Sequence, residues 1–568
     1  MIVAEAVGRA LAACGAGTVF GVVGSGNFHV TNALVAAGAR FVAARHEGGA
    51  ATMADAYARM SGRVGIVSVH QGPGLTNALT GIAEAAKSRT PLIVLAGEAT
   101  DRRSNFHIDQ DALVVAVEAY RVAVEERRTV LLNLPLDVQA RPCDPAPGTP
   151  SPVSGSEPGV VDASGGSVAE LARLLGRSRR PVFIAGRGAR HARRELETLA
   201  DLVGALLATS AVAKGLFRGS PWDLDVSGGF ATPLAAELIQ GADLVVGWGC
   251  ALNMWTTRHG SLVPSEGKVA QVDLDRSALG AHVPVDLGVV GDVAAVATAL
   301  AEHLTSPAAG PATPAAGPAT PAAGAATPAA GTGAGTGAPG SRAAEPPDAR
   351  GYRSPEIARR VQAEGRWRDV PYEDESGGGR IDPRTLTIGL DDLLPSERIL
   401  SIDSGNFMGY PSMFLDVPDE NGFCFTQAFQ SIGLGLATAI GAALAQPDRL
   451  PVAALGDGGA LMSAAELETV VRLGLPMVIV VYDDEAYGAE VHHFSPHGHP
   501  LDTVTFPPAD LAAIARGHGF AAVTVTTPAD LAGVADWLKG GRDRPLLVHA
   551  KVTRDRGSWW LEEAFKGH

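Results

Sequence analysis

Cysteine is scarce: Cys14, Cys143, Cys250 and Cys424 are the only four in 568 residues. None forms a CxxC pair, which excludes a zinc ribbon or a dithiol redox motif, and four are too few for a disulfide framework in so long a chain. They leave a reducing compartment as the reading. Basic residues are in deficit, with 46 Lys plus Arg against 61 Asp plus Glu and a formal net charge of −15. A nucleic-acid surface needs a basic face, so no such partner is expected. Long apolar runs are missing as well. The nearly uncharged stretch 431–445 has 15 residues, short of the roughly 20 that span a bilayer. Near the N-terminus, Ile2, Val3, Ala6, Val7, Ala10 and Leu11 follow a helical period broken by Glu5 and Arg9, unlike a signal-peptide core. A cytoplasmic protein without a membrane partner is expected.

What is present suits a folded enzyme-sized chain. Hydrophobic residues make up 46% and charged residues 19%, an ordinary globular balance, and the length implies about three or four domains at roughly 150 residues each. Two stretches read as linkers. Residues 143–166 are dense in Pro, Gly and Ser, and 305–350 repeat GPATPAA, GPATPAA and GAATPAA. A proline in every seven-residue unit forbids a regular helix, so this period marks a semi-extended, disordered tether rather than a coiled coil. The linkers divide the chain into 1–142, 167–304 and 351–568.

Each part alternates short apolar runs with helical patterns. The runs are 18–23, 41–44, 64–69, 92–96 and 129–134 in the first part, 182–185, 244–247 and 269–273 in the second, and 399–402, 452–455, 477–482 and 546–552 in the third. Apolar strands alternating with helices predict parallel sheets covered on both faces, hence three doubly wound α/β domains.

In such sheets ligands gather beyond the C-terminal ends of the strands. The segment 451–490, PVAALGDGGALMSAAELETVVRLGLPMVIVVYDDEAYGAE, reads strand, turn, helix, strand, turn. If its two strands are neighbours, Asp457 and Asp484 come side by side at one sheet edge. Two carboxylates there suit a hard divalent cation such as Mg2+. The glycines after Asp457 let backbone approach a phosphate, and the next helix offers free N–H groups. The same residues also read as a plain turn and a helix cap, and a lone glycine turn does not decide between the two.

The 454–488 segment resembles the cofactor motif of thiamine-diphosphate-dependent enzymes of the acetolactate synthase, pyruvate decarboxylase and benzoylformate decarboxylase group, which opens on GDG and closes on a paired Asn. The resemblance extends over nearly the whole chain outside the linkers. It implies a pyrimidine-binding domain, a central Rossmann-like domain and a diphosphate-binding domain, with thiamine diphosphate and Mg2+ as cofactors. Carried over, Asp457 and Asp484 are side-chain metal ligands and Ala486 supplies a main-chain carbonyl. Gly456, Gly458, Gly459, Tyr487 and Gly488 surround the diphosphate. Asp483-Asp484 departs from the usual Asn pair and adds negative charge beside a diphosphate, with altered metal affinity as the expected effect. Glu47, in ARHEGGAATMADAYAR, matches the carboxyl that protonates the aminopyrimidine ring; by itself it reads as a helix-start carboxylate placed for the dipole. Gln430 would give a main-chain carbonyl to the aminopyrimidine, and Ile432 matches the aliphatic wedge under the bent cofactor.

His70, Gln71, His107 and Glu490 fall at or beside positions where relatives handle protons, although each alone reads as a satisfied polar residue. His492 and His493 would line the entrance. In the central domain AGRGARH at 185–191 is a weak glycine turn and no dinucleotide fingerprint appears, so FAD, which acetolactate synthases bind there, is not expected; Gly291-Asp292 reads as another turn. The stretch around Val117–Tyr120 is shorter than in the family. The resemblance further implies a homodimer or dimer of dimers with sites between chains. The leading functional expectation is decarboxylation of a 2-oxo acid, with carboligation to a second carbonyl, an aldehyde or another 2-oxo acid, as an open branch. A true acetolactate synthase is the alternative, against which His70 and His107 speak. A lapsed cofactor-binding or regulatory protein is the alternative of another class, against which Glu47 and Asp457 speak. The substrate side chain stays open.

Overall fold

Three all-parallel sheets organise the chain. The computed structural model describes residues 1–99, 122–124, 126–143, 165–305, 351–558 and 560–561. His107, the stretch 117–120, the repeats within 305–350 and most of 143–166 lie outside the described residues.

The first sheet holds β1 (Thr18–Gly21), β2 (Arg40–Ala43), β3 (Gly65–Val69), β4 (Leu92–Glu98) and β5 (Thr129–Pro135) in the order β2-β1-β3-β4-β5. The second holds β6 (Pro181–Ala185), β7 (Leu206–Thr209), β8 (Asp223–Val226), β9 (Leu244–Trp248), β10 (Lys268–Asp273) and β11 (Leu287–Val290) in the order β11-β10-β9-β6-β7-β8. The third holds β12 (Arg398–Ile402), β13 (Phe423–Cys424), β14 (Leu450–Gly456), β15 (Val478–Asp483), β16 (Ala521–Val525) and β17 (Leu546–Lys551) in the order β13-β12-β14-β15-β17-β16. Central strands such as β3, β6, β12 and β15 are buried along their whole length, which is why they read as unbroken apolar runs. Five of these strands escaped the sequence pattern: β8 is Asp-Leu-Asp-Val and β13 has two residues, while β7, β11 and β16 are apolar runs of four or five residues that went unread.

The order of the first and second sheets reverses once; that of the third reverses in its interior and again at its edge, where β17 lies between β15 and β16. The interior reversal lies between β1 and β3 in the first sheet, between β6 and β9 in the second and between β12 and β14 in the third. Loops leaving the carboxyl ends of the two strands part there and open a crevice. Among the described residues no helix is long and apolar enough to cross a membrane. The stretch 431–445 instead forms the buried helix Gly435–Ala445, packed against helix Glu47–Ser61 of the first domain. Its small residues set that approach: a Cβ at Gly441 would collide with the carbonyl oxygen of Met53. This contact ties the first and third domains into one core.

Candidate active site

Two strand-end crevices carry the predicted residues. In the third sheet β14 and β15 are neighbours with Gly456 opposite Tyr482, so Asp457 and Asp484 emerge side by side. Asp457 opens the helix Asp457–Met462, with Gly456 as its N-cap. Burial, then the charges of Asp484 and Asp483, push its carboxyl up to about 8. Asp484 is buried and pushed up to about 6, again by burial first, against hydrogen bonds from Asn406 and the Ala486 backbone. Asn406 Nδ2 donates to Asp484 Oδ2 at 3.1 Å. Two buried carboxylates side by side at a strand end could serve a hard cation as oxygen ligands.

The glycines leave no space for side chains. A Cβ at Gly459 would strike Asp403 Oδ2, one at Gly488 would strike Asp484 Oδ2, and one at Gly458 would sit 2.9 Å from the Tyr487 ring. Tyr487 is itself fixed edge-on against Phe506 at 4.8 Å. Glycine thus lets side chains and backbone pack closely at a helix start, where free N–H groups could meet a diphosphate. Asp403, fully buried, follows β12 and accepts the N–H groups of Ser404 at 2.9 Å, Gly433 at 2.9 Å and Leu434 at 3.3 Å. It thereby shapes the Gln430–Gly433 turn, in which Gln430 adopts φ 60 and Ile432 is half-buried. From the first domain, buried Glu84 accepts the N–H groups of Ala428 at 3.1 Å and Phe429 at 2.6 Å. Asp403, Asn406 and Glu84 were missed in the sequence. Asp403 and Asn406 had a signal, since they follow a strand end as Asp457 does; Glu84, deep in a helix, had none.

Asp483, next to Asp484, turns away from this crevice. His549 Nε2 and Lys551 Nζ each lie 2.6 Å from its Oδ2. Burial alone would raise its carboxyl, but these two groups hold it below the usual carboxylate range. Glu490 stands in the first turn of the helix Gly488–Phe494, which begins against Asp484. His492 on that helix faces Gly557, and burial, opposed by Asp555, pushes its imidazole down. His493 stacks edge-on with Phe494. Among the described residues no group of three or more His, Cys, Asp or Glu is placed to hold a metal ion.

In the first sheet His70 and Gln71 follow β3 and face the 24–27 loop after β1. Gly26 N–H donates to His70 Nδ1 at 3.2 Å, which places the remaining ring proton on Nε2 when the imidazole is neutral. Burial pushes His70 down, and nearby Glu47 opposes this. The Gln71 side chain is buried, and its Oε1 finds no partner among the described residues. Glu47, half-buried, begins its helix after β2 and accepts from Asn77 Nδ2 at 3.1 Å. The N–H groups of Arg45 and His46, just before it, donate to buried Glu466 Oε1 at 2.9 and 3.0 Å, so the third domain helps to fix where Glu47 starts. Glu47, His70 and Gln71 therefore form one group, and Asp457, Asp484, Ala486, Tyr487, Gly488 and Glu490 another.

In the central domain the glycine turn after β6 becomes the short helical turn Arg187–Ala189, and Asp292 caps the next helix through Ala295 N–H at 3.1 Å while meeting His191 at 2.9 Å. Both act as turns.

Comparison with known proteins agrees with this layout. The sequence patterns of the thiamine pyrophosphate enzyme N-terminal TPP binding domain, central domain and C-terminal TPP binding domain match residues 1–116, 168–300 and 403–550. The chain is similar to sulfoacetaldehyde acetyltransferase of Alcaligenes xylosoxydans xylosoxydans, 29% identical over 86% of this chain and 82% of that protein. It is also similar to a probable 2-ketoarginine decarboxylase of Pseudomonas aeruginosa, 28% identical over 94% and 91%. A probable acetolactate synthase large subunit of Methanocaldococcus jannaschii is 26% identical over 85% and 80%. Its fold is shared with the thiamine diphosphate-dependent 4-hydroxybenzoylformate decarboxylase of Rhodococcus jostii, at a TM-score of 0.74 and 21% identity, covering 98% of this chain and 100% of that one.

Proposed function

Since the chain belongs to the thiamine pyrophosphate enzyme family, we propose that it decarboxylates a 2-oxo acid with thiamine diphosphate and Mg2+ and can join the remaining acyl unit to a second carbonyl. The observation that carries this reading is the pairing of Asp457 with Asp484 over a glycine-lined helix start. Their raised proton affinity is what two buried carboxylates show, and a cation between them would neutralise it.

In this reading Asp457, Asp484 and the Ala486 carbonyl hold Mg2+, while the backbone at Gly458 and Gly459 takes the diphosphate. Ile432 supports the middle of the cofactor, and the Gln430 carbonyl meets its aminopyrimidine. Glu47 keeps a proton on the pyrimidine ring. When bound, thiamine diphosphate supplies the electron sink that lets a carboxylate leave. His70, whose Nδ1 takes the Gly26 N–H and whose imidazole burial pushes down, can give its Nε2 proton near the substrate carbonyl and take it back, with Glu490 as a second acid-base group at the other wall.

The same reading makes the active form a homodimer or dimer of dimers with Glu47 of one chain serving the cofactor of the next. Exposed apolar side chains support a covering copy: Leu79 at 53%, Phe429 at 47% and Met462 at 54% exposure. They lie on the Asn77 helix, beside Gln430 and on the Asp457 helix respectively.

Adding thiamine diphosphate and Mg2+ to dialysed protein should raise its melting temperature, and some member of a 2-oxo acid panel should release CO2. Running the panel with and without an aldehyde acceptor separates decarboxylation from carboligation. Stabilisation without turnover on any substrate would instead identify a lapsed, cofactor-binding protein, and no stabilisation at all would overturn the reading.

A further inference from the structure

Three carboxylates meet where β14 and β15 end, and the fold sorts them. Asp457 and Asp484 face the glycine turn. Asp483, one residue away, points to the opposite side of its strand and is 1% exposed. Its partners come from β17, which runs beside β15 with Val481 opposite His549 and Asp483 opposite Lys551. His549 Nε2 and Lys551 Nζ converge on Oδ2, each at 2.6 Å. The other oxygen, Oδ1, accepts the Glu485 N–H at 3.0 Å. Lys551 also reaches Glu485 Oε1 at 3.3 Å, and Arg380 and Arg554 reach Glu485 Oε2 at 2.6 and 2.7 Å. Glu485 is held at φ 59 between Asp484 and Ala486, so this network fixes the backbone that presents both.

Resting on the reading that Asp457 and Asp484 hold a cation and a diphosphate, we propose that Lys551, helped by His549, is a positioning residue for that site. It neutralises Asp483 and ties it away from the crevice, so that a third carboxylate can stand beside an anionic cofactor without repelling it. The physical consequence has opposite signs for the two ligands. An uncompensated Asp483 charge in a partly buried site repels a diphosphate and attracts a bare divalent cation. A merely loosened loop would weaken both.

The test measures the two bindings separately. In Lys551→Met, thiamine diphosphate affinity at saturating Mg2+, read by tryptophan fluorescence, should fall about tenfold or more. Mn2+ binding without cofactor, read from the electron paramagnetic resonance signal of free ion, should not weaken. Adding Asp483→Asn to Lys551→Met should return cofactor affinity to within about threefold of wild type, and Lys551→Arg should stay near wild type. The proposal is overturned if Lys551→Met binds cofactor normally, if it loses Mn2+ together with cofactor, or if Asp483→Asn fails to rescue it. A wild-type protein that takes up neither ligand overturns the underlying site assignment, an outcome seen before any variant is made.

Discussion

Asp457 and Asp484 bind protons more tightly in the folded chain than in a free aspartate, because both are buried and because neighbouring carboxylates, Asp484 and Asp483 for Asp457 and Asp483 for Asp484, disfavour their ionised forms. Ionising them destabilises the cation-free protein. That loss is absent below about pH 4 and grows as the pH rises through about 6 and about 8. A bound cation offsets it, so cation binding should expel protons and tighten between pH 6 and 8. Calorimetric titration of Mg2+ with thiamine diphosphate at those two pH values should show the gain, and Asp457→Asn should lose most of it. Glu47 carries a different expectation, since in the proposed reading its carboxyl handles a proton and holds no phosphate. Glu47→Gln should keep cofactor affinity while turnover drops by about 10²–10⁴-fold, as measured by CO2 release. His70→Ala should alter turnover or the ratio of aldehyde to ligated product more than cofactor affinity; the reverse pattern would mark His70 as a structural histidine supporting Gly26.

Secondary-structure elements place these groups through close backbone approach. Helices Glu47–Ser61 and Gly435–Ala445 meet where Gly441 has no room for a side chain. Gly441→Ala should push them apart at a cost of about 1–3 kcal/mol, seen as a lower melting temperature that leaves the Asp457 turn, on another element, intact. The longer apolar strands were legible in the sequence, as was a Gly- and Ala-rich stretch at 431–445 too short to cross a bilayer. Strands such as β8 and β13 were not, because two to four residues of mixed polarity carry too little periodicity to separate from a turn. The pairing of Asp457 with Asp484 was readable only on the condition that β14 and β15 are neighbours, a condition the register of Gly456 against Tyr482 meets.

At the scale of the whole molecule, a buried ion-pair cluster of the first domain holds backbone groups of the third by hydrogen bonds. Arg59, buried, bonds Asp55 at 2.6 and 2.9 Å, Glu84 at 2.8 Å and the Phe425 carbonyl at 2.9 Å. Glu84 in turn holds Ala428 and Phe429 beside the Gln430 turn. Arg59→Met should strand two buried carboxylates and cost about 3–5 kcal/mol, measurable by denaturant unfolding, with cofactor affinity falling as the turn loosens. By itself the sequence determined the three α/β units, the GDGG turn and the residue types of the site, because strand periodicity and glycine punctuation are local properties of a chain. Only the tertiary structure decided that Asp403 and Glu84 hold the Gln430 turn and its approach, that Asn406 meets Asp484, and that Asp483 faces His549 and Lys551 instead of the crevice. Those outcomes depend on which strands become neighbours and on which face a side chain leaves, and both are set by packing between segments far apart in the chain.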